Sequence, residues 1–187
     1  TITDDDAVVF TISASADPIA ETGGSTIFTI DFGGVTLTPG QTATVVVTPS
    51  GATEGTDYTL FDTAINAALT AGATYNAGTN TLTFDGTSYA ASNFQFTVNA
   101  LADTLVEGDE RFTATLSART SATLGGAAAD SVTITDDDAV VFTISASADP
   151  NAETGGRTTL TIDFGGVTLP PGHAAPAGVS PRGATER

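Results

Sequence analysis

Alternation of apolar and polar side chains is the strongest signal in this chain of 187 residues. Seven short runs carry an apolar residue at every second position, which is the period of a half-buried β-strand. In the longest run, residues 94–100, Phe94, Phe96, Val98 and Ala100 alternate with polar residues. The apolar positions of the other six runs are Val8, Phe10 and Ile12; Phe28, Ile30 and Phe32; Ala43, Val45 and Val47; Leu82 and Phe84; Phe112, Ala114 and Leu116; and Val132 and Ile134.

Glycine-rich and proline-rich connections separate these runs, as expected of turns. Seven amphipathic strands with polar connections predict an all-β fold, a seven-stranded antiparallel two-sheet β-sandwich of the immunoglobulin-like type. Residues 62–69 depart from the alternation, because apolar side chains recur there at i, i+3 and i+4 from Ile65. This spacing predicts a short helical insertion with Asp62 as its N-cap, covering one end of the sandwich.

The chain also repeats itself. Aligned at an offset of 132 residues, positions 1–55 and 133–187 are identical in 42 of 55 pairs. Agreement is 33 of 37 pairs up to Leu37 and Leu169, and then 9 of 18. Where the first copy has the alternating run 44–47, the second has Pro176 and Gly178, which remove a ladder donor and weaken a strand. A period of this length indicates a tandem array.

We therefore interpret residues 1–6 as the tail of a preceding repeat and residues 7–138 as one complete repeat. Residues 139–187 are the truncated start of the next repeat, and we expect roughly the last 20 residues to be poorly ordered, since a lone hairpin is marginal in water. The chain reads as an excerpt of a longer one. It has no basic, apolar leader at its start and no apolar run approaching the roughly 18 residues of a membrane span.

The amino-acid composition excludes several classes of binding partner and metal site. The chain has 22 acidic residues against 5 arginines and no lysine, a formal net charge of −17. Nucleic acids and anionic membranes need basic surfaces, so neither is an expected partner, and membrane insertion is not expected. With 40% hydrophobic residues the chain has enough material for a core. The absence of cysteine excludes disulfides and thiolate metal sites.

Carboxylates concentrate where strands end. The phrase Thr-Ile-Thr-Asp-Asp-Asp occurs twice, at residues 1–6 and 133–138, and adjacent carboxylates repel each other. Further acids lie between the predicted strands, at Glu21, at Glu54 and Asp57, and in residues 103–110. Oxygen ligands in flexible loops are what Ca²⁺ prefers. The alternative is that turns are simply rich in Asp, whose side chain bonds nearby backbone. Composition and spacing do not decide between the two.

Three motifs, in order, carry a resemblance to a known family. Glu-Gly-Thr-Asp-Tyr (54–58), Asp-Thr-Leu-Val-Glu-Gly-Asp-Glu-Arg-Phe (103–112) and Val-Thr-Ile-Thr-Asp-Asp-Asp (132–138) resemble the Calx-β domain, known from sodium–calcium exchangers and from tandem arrays in large bacterial surface and secreted proteins. The resemblance spans residues 7–138, and the insertion around residues 60–78 exceeds the usual family loop.

The resemblance implies calcium as cofactor, held by acids at one end of the sandwich. By motif position the implied ligands are Glu21, Asp57, Asp103, Glu107, Glu110, Asp136, Asp137 and Asp138, with the Leu105 carbonyl as a further ligand. Exchanger domains carry an additional acid directly before the position of Asp103, and here that residue is Ala102. This departure implies fewer ions or weaker binding. Glu54 and Asp109 match no ligand position.

Catalysis finds little support, and we expect no enzyme activity. The single histidine, His173, lies in the diverged part of the second copy, and no serine–histidine or cysteine nucleophile pair is available in the complete repeat. A carboxylate pair for glycoside hydrolysis would want a cleft lined with aromatic rings, and the chain has no tryptophan and three tyrosines.

The leading hypothesis is a calcium-binding structural or adhesion repeat that stiffens a multidomain extracellular or cell-surface protein, with neighbouring repeats of the same chain as its partners. A second hypothesis is a recognition module whose insertion binds a host or matrix glycan or protein, which requires an exposed aromatic patch near Phe61, Tyr75 or Tyr89. A third is a metal-free spacer whose acids only confer solubility. Asp4–Asp6, separated from the other ligands, should bind nothing strongly.

Overall fold

The computed structural model describes residues 8–147 and 154–180. The expected tail of a preceding repeat, residues 1–6 with Asp4–Asp6, lies outside this part. Contacts divide the described residues into two compact units. The first comprises residues 8–102 and 108–136, and the second comprises 103–107 with 137–147 and 154–180.

The first unit is a β-sandwich. Its elements are β1 (Val8–Ala14), β2 (Ile19–Ala20), β3 (Ser25–Asp31), β4 (Thr42–Gly51), α1 (Phe61–Ala68), β5 (Ala73–Asn76), β6 (Thr81–Asp85), β7 (Asn93–Asn99), β8 (Glu110–Thr120), β9 (Ala122–Leu124) and β10 (Ala129–Thr135). One sheet has the order β7-β3-β1-β9 and the other the order β2-β10-β8-β4-β6-β5. The predicted all-β sandwich is therefore confirmed.

The seven predicted runs form β1, β3, β4, β6, β7, β8 and β10, and each of their apolar positions is buried. Three further strands, β2, β5 and β9, have only two to four residues, too few for a period to be read from the sequence. The expectation of purely antiparallel pairing is corrected at two places, since β1 pairs in parallel with β9 and β2 with β10.

Between β1 and β2 the chain crosses from one sheet to the other. Two carboxylates hold this crossing to β10: Asp130 Oδ2 accepts a hydrogen bond from the Ala14 N–H (2.8 Å), and Asp17 Oδ1 accepts one from the Thr133 N–H (2.8 Å). These bonds satisfy backbone donors that would otherwise have no ladder partner where the chain changes sheet. The crossing matters because it aligns β2 alongside β10.

Aromatic rings fill the space between the sheets. Phe28 contacts Phe96, Phe61 and Phe112, with ring centroids 5.5, 5.8 and 6.0 Å away. Tyr58 stacks on Phe112 with centroids 4.2 Å apart and planes 15° apart. Offset and edge-on ring contacts of this kind add about 0.5–1.5 kcal/mol each beyond the area they bury. The core therefore reaches from both sheets into the loop that carries Asp57.

The helical insertion is confirmed, but its predicted N-cap is wrong. Helix α1 begins at Phe61, and the capping position is Leu60, whose side chain makes no cap. Glu54 takes this role from a distance, since its Oε1 accepts the Phe61 N–H at 2.7 Å. Asp62 lies in the first turn and accepts a 2.6 Å hydrogen bond from the Tyr75 hydroxyl. The buried face of α1 packs against β7.

The second unit contains an antiparallel strand pair, β11 (Thr143–Ala146) and β12 (Leu160–Asp163). Residues 103–107 join this unit through the backbone: Thr168 N–H donates to the Thr104 carbonyl (2.7 Å), and Val106 N–H donates to the Thr168 carbonyl (2.9 Å). Residues 169–180 form no strand, as the proline and glycine substitutions of the second copy predict. The order of the last 20 residues stays a prediction.

Candidate metal centre

Parallel pairing of β2 with β10 brings two predicted ligands together. The register sets Ile19 opposite Ile134 and Ala20 opposite Thr135, so both strands end at the same level. Glu21 follows β2, and its N–H continues the ladder by donating to the Thr135 carbonyl at 3.0 Å. Asp136 follows β10, and carboxylate oxygens of Glu21 and Asp136 lie within 4.8 Å of each other.

A second carboxylate pair forms beside the first. Glu110 opens β8 and lies opposite Ile134 of β10, two residues before Asp136. Asp57 reaches Glu110 from the loop after β4, and their carboxylate oxygens also lie within 4.8 Å. Both pairs therefore occupy one end of the six-stranded sheet. Both belong to groups of acidic side chains that could hold a metal ion.

The Asp57 loop is held in place by its neighbours. The Asp57 carboxylate accepts a hydrogen bond from the Thr53 N–H, and the Asp57 carbonyl accepts the Leu101 N–H at 2.9 Å. The next residue, Tyr58, is 1% exposed and stacks on Phe112, which lies two residues after Glu110 on the same strand. Ring stacking in the core thus positions Asp57 beside Glu110.

Asp136 also organises the approach to β8. Its Oδ2 accepts a hydrogen bond from the Gly108 N–H at 2.9 Å. Gly108 has a φ of +122°, a conformation that L side chains rarely adopt, so glycine is required at this turn. The turn delivers the chain into Glu110, which begins β8.

The charge around these pairs is strongly negative. Residues 8–138 contain 15 acidic side chains and two arginines. Burial, reinforced by the nearby Glu54 and Asp57 carboxylates, raises the pKa of the Tyr58 phenol above its ordinary range. At a separation of 4.8 Å, the upper limit for each pair, two carboxylates repel by about 0.9 kcal/mol in water, and by more in the lower dielectric of a protein surface. This end of the sandwich favours a cation.

The remaining predicted ligands, Asp103, Leu105, Glu107, Asp137 and Asp138, belong to the second unit. Within it, Asp103 Oδ1 accepts the Leu105 N–H at 2.6 Å. Along the chain, Asp138 is two residues from Asp136, and Glu107 is three residues from Glu110.

The aromatic patch required by the recognition hypothesis is absent from the described residues. Phe61 and Tyr89 are 1% and 4% exposed, and both lie in the core. Tyr75 is partly buried and donates its hydroxyl to Asp62. Between α1 and the outer face of β7 there is a shallow cleft of about 380 Å³, lined by small and polar side chains such as Thr63, Ala67 and Gln95. That expectation of a patch was wrong because the rings are needed inside the sandwich.

One interpretation of the sequence was incomplete. Glu54 matched no ligand position, and the structure gives it a local role as the acceptor at the start of α1. The signal was available, since an acid shortly before a helix is favourable at its N-terminus.

No helix within the described residues is both long enough and apolar enough to cross a membrane.

No protein-family model matches the chain, and no curated protein matches it. Solved structures that it resembles include the apo form of the Calx CBD1 domain, at 18% identity and a TM-score of 0.46, with 70% of this chain and 99% of that domain covered. CBD12 from CALX1.2 follows at 20% identity and 0.44, with 71% and 48% covered. The calcium binding domain CBD12 of CALX1.1 also has 20% identity and 0.44, with 65% and 42% covered. These three structures are Calx domains by name, and the sequence motifs resemble the Calx-β domain.

Proposed function

We propose that this chain is a calcium-binding structural repeat. The observation that supports the proposal is the pair of carboxylate pairs, Glu21 with Asp136 and Asp57 with Glu110, at one end of a single sheet. The donor set fits the ion, because Ca²⁺ takes six to eight oxygen ligands, commonly carboxylates and carbonyls, in flexible geometry. The absence of cysteine argues against soft metals.

The remaining ligands in this proposal are Asp103, Glu107, Asp137, Asp138 and the Leu105 carbonyl. The motif resemblance, in which each of these residues holds a ligand position, favours this assignment. When bound, Ca²⁺ supplies positive charge that offsets the repulsion between carboxylates. The protein's own part is to present the oxygens: β2 and β10 align one pair, and the stacked Tyr58 holds Asp57 beside Glu110.

Linkage makes such a site a stabiliser of the joint between repeats. An ion that binds only the folded state adds RT ln(1 + [L]/Kd), about 2.7 kcal/mol at a hundredfold excess over Kd. Asp136–Asp138 lead from β10 toward the next repeat, so calcium would order this junction. Extracellular modules often bind Ca²⁺ with Kd of about 10⁻⁴–10⁻³ M. We propose that the protein lies at the cell surface or outside the cell, where it has an adhesive or spacing role.

The test is a calorimetric Ca²⁺ titration of the full chain, with thermal melts in excess calcium and in chelator. We expect saturable binding and a higher melting temperature with calcium. Equal melting temperatures together with no heat of binding would overturn the proposal and leave the metal-free spacer. A titration with Mg²⁺ serves as control, since that ion demands near-octahedral geometry and dehydrates reluctantly.

A further inference from the structure

Strand β7 is an edge strand of the four-stranded sheet, where it pairs with β3. Along an antiparallel strand, successive residues direct their backbone groups alternately to one side of the strand and to the other. The even-numbered residues face β3, because the Ala100 N–H, at the end of the same ladder, donates to the Gly24 carbonyl at 2.9 Å. The N–H and C=O groups of Gln95 and Thr97 therefore point away from the sheet.

The chain itself pairs with this outward side where β7 ends. The Thr59 N–H donates to the Asn99 carbonyl at 2.9 Å, and the Thr59 hydroxyl accepts the Asn99 N–H at 3.0 Å. Directly afterwards the chain turns away into α1. Among the described residues no backbone continues this pairing to Thr97 and Gln95. One edge thus holds an extended backbone at its end and leaves the next positions open.

The cleft of about 380 Å³ between α1 and β7 adjoins these open positions, since Gln95 and Thr97 both line it. Proteins often cover a sheet edge with a helix, but here a cleft remains between the helix and the edge. The Gln95 side chain is engaged across the outer face of the sheet, where its Nε2 donates to the Thr29 hydroxyl at 3.0 Å. The residues that α1 contributes to the lining are small, which leaves room for other side chains: Thr63, Ala64, Ala67 and Ala68.

The charge around the edge favours a cationic occupant. No charged side chain is among the residues that line the cleft. Asp31 lies opposite the first residue of β7, and Asp57 lies beyond the other end, where its carbonyl accepts the Leu101 N–H. Both arginines of the first unit, Arg111 and Arg119, belong to β8 in the other sheet. The edge therefore attracts a basic segment and repels an acidic one, a second copy of this chain included.

We propose that the open edge of β7 binds an extended, cationic peptide segment of another protein, which adds as a fifth strand to the four-stranded sheet beside α1. In this mode main-chain hydrogen bonds supply the affinity, and pockets for alternate side chains supply the specificity. Gln95 and Thr97 offer the main-chain groups, and the cleft receives every second side chain. The edge uses neither of the carboxylate pairs, so binding is expected in chelator as well as in calcium.

Amide hydrogen exchange of the full chain, read by NMR, tests whether the edge is open. In the free chain the N–H groups of Phe96 and Val98 should exchange slowly, because they bond to β3, and those of Gln95 and Thr97 should exchange fast. Slow exchange of Gln95 and Thr97 in dilute protein would show that the edge is already covered. Protection that grows with protein concentration would assign the edge to a second copy. Either result would overturn the proposal.

A titration in chelator with the peptide Lys-Thr-Val-Thr-Val-Thr-Lys tests the occupant. At ~1 mM this peptide should protect Gln95 and Thr97 from exchange, since weak binding is measurable there. The same peptide N-methylated along its length lacks ladder donors and should give no protection. A peptide with Glu at both ends should bind about tenfold more weakly at low salt. No protection by the first peptide, or equal binding of the Glu peptide, would contradict the proposal.

A matched pair of variants separates the backbone from the side chain. Thr97→Pro removes the outward donor without touching the ladder to β3, a position at which an edge strand tolerates proline. It should weaken peptide binding about tenfold or more, whereas Thr97→Val should leave binding unchanged. Unchanged binding by Thr97→Pro, or equal loss in both variants, would reject pairing through this edge. Melting curves check the fold, and Ala67→Leu, which narrows the cleft from the exposed face of α1, should weaken binding independently.

Discussion

Replacing Glu110 by glutamine should change the stability of the sandwich in opposite directions with and without calcium. Glu110 begins β8, and its carboxylate lies within 4.8 Å of that of Asp57. In chelator the substitution removes a repulsion between like charges. In calcium it removes a ligand. The same substitution should therefore stabilise the calcium-free protein and destabilise the calcium-bound protein.

The magnitude in chelator follows from the separation. At the 4.8 Å limit of their separation, two unit charges repel by about 0.9 kcal/mol in water and about 3.5 kcal/mol at an effective dielectric constant of ~20. Both side chains are partly exposed, so screening by solvent and salt favours the lower value. We expect Glu110→Gln to raise the free energy of unfolding in chelator by about 1 kcal/mol, or a few degrees in melting temperature.

When calcium is at a hundredfold excess over Kd, its binding raises the free energy of unfolding of the unmodified chain by about 2.7 kcal/mol. A variant that no longer binds calcium keeps only the increase of about 1 kcal/mol that comes from the removed repulsion. In calcium its free energy of unfolding is therefore about 1.7 kcal/mol lower than that of the unmodified chain. Urea unfolding gives both values on one scale. Tyrosine fluorescence is a suitable probe, because the chain has no tryptophan and Tyr58 stacks on Phe112 beside the site.

Asp109→Asn is the matched control. Asp109 adjoins Glu110 and is exposed, but it has no assigned ligand position. Its replacement removes the same charge and should change stability by less than about 0.5 kcal/mol in either condition. If Glu110→Gln lowers stability equally in calcium and in chelator, Glu110 has a structural role and the repulsion argument fails. If Asp109→Asn reproduces the reversal of sign, the effect comes from net charge.

Further predictions follow from the core and its tyrosines. Phe28→Leu should destabilise the sandwich by about 1–2 kcal/mol through lost ring contacts and volume, whereas Leu160→Phe at the equivalent position of the second copy should leave the urea midpoint of the sandwich unchanged. Burial raises the pKa values of Tyr58, Tyr75 and Tyr89. Because the unfolded chain loses these protons near pH 10 and the folded chain holds them, the tyrosines should leave stability unchanged between pH 8 and ~10 and lower it above pH ~10, by up to about 1.4 kcal/mol per pH unit per tyrosine. Urea midpoints from pH 8 to 11 check this, and unchanged midpoints above pH 10 would contradict it. Tyr75→Phe should cost about 1 kcal/mol in the same urea assay, and an unchanged midpoint would show that its 2.6 Å hydrogen bond contributes nothing.

Much of the fold could be predicted because alternation reports burial directly. Phe94, Phe96 and Val98 face the core wherever β7 lies in the sheet, since a strand with one buried face must place its apolar side chains on that face. The short strands β2, β5 and β9 carry no such signal. They are strands because neighbouring backbone offers them partners, and pairing partners distant in sequence leave no local trace.

The candidate site likewise combines residues that the sequence motifs identify with contacts between residues distant in sequence. Motif resemblance named Glu21, Asp57, Glu110 and Asp136, and the structure brings them together as two pairs. Their grouping depends on β2 pairing with β10 across 115 residues, and on the stacking of Tyr58 against Phe112. Neither contact can be read from spacing. The N-cap prediction failed for the same reason, because Glu54 lies seven residues before the backbone group that it binds.

The two copies of the repeat separate local from long-range information within one chain. The second copy reproduces the first down to single hydrogen bonds: Ser15 N–H donates to the Ile27 carbonyl at 2.9 Å, and Ser147 N–H to the Thr159 carbonyl at 2.9 Å. Strand register is thus set by residues within the hairpin. Burial is not, since the same apolar positions are covered in one copy and exposed in the other. A metal site is long-range in the same sense: Glu21 becomes a candidate ligand through its place beside Asp136. The acidic triplet alone therefore does not show whether a metal site is present. That depends on which other carboxylates the strand pairing of the sheet brings next to it.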